Sequence, residues 1–319
     1  MALYTPLSAE DAARVAEAHG LAPPSRVEGV VAGSVNSSYV LHAASGAAAF
    51  LRIYEEQGAD GAAYEWALLD HLARAGLPVP ARIPGPAPGA LRVGGKVVGL
   101  FEVIEGDELC QARVDPPAAA AVGALLARAH LAGASFPRRR PDRFGLDAIE
   151  ARLDAVAALD RPELRAACGE LRAAIAEVRA APGGGCPGGV IHGDLFRDNV
   201  RWRAGRVVGL LDWESAADGL FVQDLAVTCL AWCWSDALRP ELARALIGGY
   251  RGARELEPAE RAHLRVAAIE AAVRFTVTRI TDFHLREADG RVKKDWRRFR
   301  ARLAAVRAWT ARDVASLAG

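Results

Sequence analysis

The apolar pattern of this chain shifts from mainly strand-like to mainly helical near residue 104, and that change limits the fold more than any other feature. Before it, runs such as Ser38 to His42, Ala49 to Tyr54 and Val97 to Ile104 alternate with glycine-rich turns and read as strands. A single helix interrupts them over Gly61 to Ala75: Glu65, Leu68, Leu69 and Leu72 share one face, and Gly76 followed by Pro78 supplies the stop. After the change, the spacing is helical over Pro116 to Gly133, Asp147 to Ala181, Gln223 to Trp234, Arg239 to Arg251, Pro258 to Phe283 and Trp296 to Val314. The expectation is an α+β chain in two lobes, a small antiparallel-sheet N-lobe over 1–104 and a larger, mainly helical C-lobe over 105–319.

Composition narrows the partners. The chain has 319 residues, 51% of them hydrophobic and 25% charged, which is enough for two buried cores and too apolar for disorder. A formal charge of +1 creates no field to gather a polyanion, so no nucleic-acid partner is expected and any anion must meet a local site. Five cysteines without a CxxC pair argue against a disulfide framework or zinc ribbon and for a reducing, cytoplasmic setting. Glu10 and Asp11 leave no apolar leader, and no run approaches the ~18 apolar residues a membrane span needs. A monomer or homodimer is expected.

An island of strand inside the helical half holds the residues that carry chemistry. Val190-Ile191 leads into His192-Gly193-Asp194-Leu195-Phe196-Arg197-Asp198-Asn199, then Val200 to Arg203, a turn, and Val207 to Leu211 ending in Asp212-Trp213-Glu214. With Gly205-Arg206 as a two-residue hairpin turn, Asn199 and Asp212 fall opposite one another at the open end. Two oxygen-bearing side chains there make half a site for a hard divalent cation such as Mg2+, whose shell is completed by water and phosphate. Asp194, on the intervening loop, is placed to take a proton from a hydroxyl nucleophile. Each residue alone is an ordinary turn former. The joint spacing Asp-x4-Asn-x12-Asp across a predicted hairpin points to phosphoryl transfer.

These motifs resemble the aminoglycoside phosphotransferase and choline kinase superfamily, relatives of the protein kinases. His192-Gly193-Asp194 through Asn199 is similar to that superfamily's catalytic loop, and Asp212-Trp213-Glu214 stands where protein kinases have Asp-Phe-Gly. The resemblance implies ATP as donor, Asp194 as catalytic base, and Asn199 and Asp212 as ligands of Mg2+. Asp224 matches an aspartate found after the metal-binding strand and is read, like His192, as a structural support. Within the superfamily the likeness is nearest to the bacterial homoserine kinases of this fold. It runs through Met1 to Pro6, Gly33 to Tyr39, Gly76 to Pro80, Gly123 to Gly133, Leu195 to Val200, Arg274-Phe275 through Arg279, and Asp282 to Leu285. It implies phosphorylation of the homoserine hydroxyl, a step toward threonine. Other small-alcohol acceptors of the aminoglycoside, choline or sugar type, a protein serine/threonine kinase and a nucleotide-binding pseudokinase are the alternatives.

One departure stands out. Where kinases place a lysine on the third strand, this chain has Arg52; the lysines are Lys96, Lys293 and Lys294. Glu65, on the inward face of the first helix, needs a partner there, and an Arg52–Glu65 ion pair satisfies both residues. Ser34, Asn36 and Ser37 are expected to offer donors to phosphates, and the backbone from Glu102 to Ile104 to hydrogen-bond adenine. Homoserine carries an ammonium and a carboxylate. Arg197 and Asp198 in the loop are the expected contacts, with Arg279 and Asp282, and Arg274 beside them, on a late helix that could face the cleft.

Overall fold

A computed structural model describes residues 3–30, 35–159, 161–181, 183–286 and 294–319. The chain divides into two units, one made of Met1–Gly106 with Val208–Glu214 and the other mainly of Asp107–Val207 with Ser215–Ala288. The smaller unit thus takes in the segment around Asp212, which lies far beyond residue 104 in sequence.

The smaller unit is built on five antiparallel strands: β1 (Arg26–Val30), β2 (Ser37–His42), β3 (Ala48–Ile53), β4 (Arg92–Val93) and β5 (Lys96–Glu102), in spatial order β1-β2-β3-β5-β4. Arg52 on β3 faces Ser38 on β2 and Gly99 on β5, so it stands in the middle of the sheet. Two helices pack in this unit. α2 (Ala59–Arg74) is the expected one. α1 (Ala9–Ala18) was not expected. Its apolar face is mostly alanine, a weak periodic signal, yet Ser8 caps it through the Asp11 N–H and it buries Ala12 and Val15 against Tyr39, Leu51 and Leu100.

The larger unit holds α3 (Pro116–Gly133), α4 (Leu146–Ala158), α5 (Pro162–Ala180), α6 (Phe221–Trp232), α7 (Pro240–Ala253), α8 (Pro258–Arg279), α9 (Arg297–Arg307) and α10 (Ala311–Ala318). Two expected helices are each a pair. Pro162 begins α5, because proline cannot continue a helix but suits its first turn. Thr310 and Asp313 form a capping box that starts α10 afresh. α8 ends at Arg279 in a wider turn over Ile280–His284 instead of running on to Phe283. α3 and α7 approach closely through glycine: a Cβ on Gly123 would stand 1.9 Å from the Leu246 carbonyl oxygen, and one on Gly249 2.0 Å from that of Ala120.

Short strands punctuate this unit. β6 (Gly188–Ile191) pairs antiparallel with β9 (Ala217–Leu220), a strand absent from the sequence reading, with Ile191 opposite Ala217. β7 (Val200–Arg203) and β8 (Arg206–Leu210) form the expected hairpin. Its turn falls on Ala204-Gly205, one residue earlier than expected, with φ of 48° and 73°. Both central residues are left-handed, as in the mirror-image turns that match strand twist, and Ala204 accepts the steric cost. Among the described residues no helix is long and apolar enough to cross a membrane.

Candidate active site

β6 delivers the chain into the loop 192–199, and β9 delivers it into α6, so the β6–β9 pairing sets the first turn of α6 against the start of the loop. Asp224, wholly buried in that turn, accepts the backbone N–H of His192 at 2.6 Å and of Gly193 at 2.9 Å. It also meets Nε2 of His130, on α3, at 3.0 Å. Burial works against the Asp224 charge, but the His130 hydrogen bond, the charges of His130 and His192 and the backbone N–H outweigh it and hold the carboxyl below its ordinary value. His130 Nδ1 in turn lies 2.7 Å from the Tyr250 hydroxyl. Gly193 has φ of 75°, the left-handed region that favours glycine, and a Cβ there would meet the Ser215 carbonyl oxygen at 3.2 Å. Asp224 and buried His192 are therefore supports of the loop.

The loop then turns so that Asp194 stands half-buried, its N–H donating to His192 Nδ1 at 3.2 Å. Asn199 Nδ2 donates to the Asp194 carbonyl at 2.7 Å, which ties the two ends of the loop together and leaves the Asn199 Oδ1 as the side chain's remaining acceptor. Phe196 anchors the middle. Its ring lies 4.9 Å from Phe275 on α8 and 6.0 Å from Phe299 on α9, an aromatic cluster that the sequence did not advertise because its members are far apart in the chain. Arg197, expected to bind substrate, donates to Gln111 Oε1 at 2.5 Å and to the Ala231 carbonyl at 2.6 Å. Arg302 and Gln111 take the neighbouring carbonyls of Leu230 and Trp232, so the three side chains complete the last turn of α6. That work holds Arg197 as a pin of the loop. Asp198 is exposed.

In the smaller unit the expected ion pair forms. Arg52 Nη1 lies 2.9 Å from Glu65 Oε1, with Glu65 wholly buried. Arg52 Nη1 also lies 3.4 Å from Asp212 Oδ1. Burial opposes the Arg52 charge, but Glu65 first and then Asp212 more than offset it and raise the guanidinium above its ordinary value. Asp212 has φ of 60°, an uncommon conformation for a residue with a side chain and one that concentrates at functional positions. Its Oδ1 is buried without a hydrogen-bond partner.

The loop donors behave differently from expectation. Ser34 lies outside the described residues. Ser37 is wholly buried; its hydroxyl donates to Glu55 at 2.5 Å and accepts the N–H groups of Tyr4 at 2.7 Å and Thr5 at 3.0 Å. A phosphate contact from Ser37 is therefore replaced by a structural one. Asn36 donates to the Glu214 carboxylate and accepts the Glu55 N–H at 3.1 Å, so it fastens the loop to Asp212-Trp213-Glu214. Lys96 donates to the Glu55 carbonyl at 2.7 Å. The Glu102 N–H is taken by the Ala81 carbonyl at 2.8 Å, while Ile104 is half-buried beyond the end of β5.

Late in the chain, Asp282 meets Arg152 Nη1 at 3.2 Å and Arg286 at 3.7 Å. Arg279 stacks on Phe299 at 4.3 Å and donates to the Asp295 carbonyl at 3.1 Å; burial, with Arg298 nearby, pushes its guanidinium down to about 10. Beside the loop lie Arg274, which the sequence placed on a helix that could face the cleft, and Glu270, which it missed; both are on α8 and line one cavity with Gly193 and Asp224. Burial pushes the Glu270 carboxyl up to about 7, Asp142 adds to the rise, and Arg274 and a hydrogen bond from Gln223 oppose it.

Among the described residues no cluster of three or more His, Cys, Asp or Glu side chains could hold a metal ion. A cation with few protein ligands fits better. Taken singly, Asn199 Oδ1 in the larger unit and Asp212 Oδ1 in the smaller, which has no hydrogen bond though Arg52 lies 3.4 Å away, are hard oxygen donors of the kind such an ion takes.

A loop braced from behind by a buried aspartate, in the larger unit, and a sheet whose central strand carries an arginine paired with a buried glutamate, in the smaller, are each features of kinase-like phosphotransferases. The sequence profile described as the phosphotransferase enzyme family matches residues 26–259, and the chain belongs to that family. It is 34% identical over 311 residues to a homoserine kinase of Nitrobacter winogradskyi, covering 89% of this chain and 87% of that one. To a homoserine kinase of Methylorubrum populi it is 35% identical over 298 residues, covering 89% and 88%. Among solved structures, the amicoumacin kinase hAmiN in complex with AMP-PNP, Ca2+ and Ami shares the fold, with a TM-score of 0.69 at 16% identity over 89% of this chain and 87% of that one. The protein is thus an enzyme that transfers phosphate to a hydroxyl of a small molecule.

Proposed function

We propose that this enzyme is a cytoplasmic homoserine kinase, transferring the γ-phosphoryl group of ATP to the side-chain hydroxyl of L-homoserine. The observation that carries the reading is the bracing of Asp194: Asn199 holds its carbonyl and Asp224 holds the two residues before it, so the carboxylate is presented on a fixed loop. In this assignment Asp194 accepts the proton of the attacking hydroxyl. Asn199 and Asp212 hold Mg2+, which when bound neutralises charge on the phosphates. Arg52, oriented by Glu65, faces the ATP phosphates, and the backbone following Glu102 through Ile104 receives adenine. Homologous kinases named for homoserine, matched over nearly the whole length of both chains, support this acceptor over an aminoglycoside, choline or sugar.

The test is an acceptor screen with labelled ATP and Mg2+. Turnover of L-homoserine, well above that of other small alcohols, is the expected result; turnover of none of them removes the kinase reading in favour of a pseudokinase. Asp194→Ala is expected to lower kcat by roughly 1,000-fold or more while nucleotide binding persists, the scale of losing a general base.

A further inference from the structure

Among the described residues the Arg274 side chain makes no hydrogen bond or close ion pair, although the charges of Asp142, Asp194, Asp224 and Glu270 act on it. Arg197 is tied to Gln111 and Ala231, Arg152 to Asp282 and Arg279 to the Asp295 carbonyl. What touches the Arg274 guanidinium is aromatic: Phe144 at 4.4 Å and Phe275 at 4.8 Å. Its Nε is buried with no hydrogen-bond partner, and the residue is only 8% exposed. An unpaired buried cation is costly to keep unless something completes it.

Its surroundings say what that something is. Arg274 lines a cavity in the larger unit together with Glu270, Phe144, Gln223, Gly193 and Asp224. A Cβ on Gly193 would stand 3.5 Å from Arg274 Nη1, so the guanidinium sits directly beside the residue before Asp194. Glu270 lies one turn earlier on the same face of α8, and Asp142 adds a second carboxylate that feels both residues. A guanidinium and a carboxyl on adjacent turns, opening on one space, are the complement of a zwitterion. The enclosed part of the cavity has room for about one water. A single carboxylate oxygen fits that enclosed part, and the rest of the head group would lie outside it.

Resting on the homoserine reading, we propose that Arg274 and Glu270 seat the amino-acid head group of the acceptor. Arg274 takes its α-carboxylate, Glu270 takes its α-ammonium, and the side-chain hydroxyl extends to Asp194.

The experiment compares three acceptors on wild-type enzyme, Arg274→Gln and Glu270→Gln: L-homoserine, 3-aminopropan-1-ol, which lacks the carboxylate, and 4-hydroxybutyrate, which lacks the ammonium. Arg274→Gln is expected to lower kcat/KM for homoserine by roughly 100-fold, and to lower it at least tenfold less for 3-aminopropan-1-ol. Glu270→Gln should reverse the pattern, sparing 4-hydroxybutyrate relative to homoserine. If Arg274→Gln fails to fold by thermal melting, Arg274→Lys, which keeps the charge but loses the two-pronged contact, carries the same comparison. Losses equal across all acceptors overturn the head-group assignment. Homoserine turnover by the wild type separates the two readings: its absence removes the homoserine reading and this one with it, whereas its presence with acceptor-independent losses removes this one alone.

Discussion

Asp224 and His130 meet at 3.0 Å with both side chains wholly buried, and the same carboxylate holds two backbone N–H groups at the entrance to the loop 192–199. Asp224→Asn keeps the shape but replaces an acceptor with a donor facing an N–H. It is expected to cost about 2 to 4 kcal/mol of stability, measured by urea unfolding. The wild-type carboxyl is held below its ordinary value, so its contribution is present above the unfolded pKa and fades as pH falls through the acid range. The acid limb of the stability profile should flatten in the variant.

Arg52→Ala leaves Glu65 buried without its counter-charge. A loss of about 3 to 5 kcal/mol is expected, together with a raised KM for ATP. Arg52→Lys restores a cation and should recover part of both. If Arg52→Ala left ATP binding unchanged by calorimetry, the phosphate assignment of this arginine would be wrong.

Glycine to alanine in a helix ordinarily stabilises by about 0.5 to 1 kcal/mol. At Gly123 the sign should invert, because the new methyl would stand 1.9 Å from the Leu246 carbonyl oxygen and backbone cannot swing aside as a side chain does. Gly123→Ala and Gly249→Ala are each expected to lower the melting midpoint, whereas Gly248→Ala, with open space around it, should not.

Glu270 provides a pH test near neutrality. Its carboxyl is raised to about 7 by burial, with Asp142 reinforcing and Arg274 and Gln223 opposing. The folded state therefore holds a proton that the unfolded chain has released, and stability contributed by that proton is lost as pH rises from about 4.5 through 7. In the ligand-free enzyme, Glu270→Gln should remove this decline between pH 5 and 8, roughly the span of that titration. An unchanged slope in thermal melts across that range would show that Glu270 titrates normally.

The sequence by itself determined the elements whose signals are local. The strand and helix periods marked most of the sheet and the helices, and proline and glycine marked several ends. The spacing of Asp194, Asn199 and Asp212 across a hairpin pointed to the family, which the phosphotransferase profile shows, since those residues are few, polar and near one another in the chain. Glu65 could be paired with Arg52 because an acid on an apolar helix face demands a cation.

What only the tertiary structure decided concerns which partner each long polar side chain reaches. Arg197, Arg274 and Arg279 look alike in sequence, and their surroundings separate only when α6, α8 and the aromatic rings are in place. Ser37 is removed from phosphate duty by Glu55, 18 residues away, and Asn36 by Glu214, 178 residues away. An arginine or a hydroxyl carries no mark in its neighbours for the acceptor it will meet. That acceptor is fixed by packing between distant segments, and burial then sets the cost of leaving it unmet.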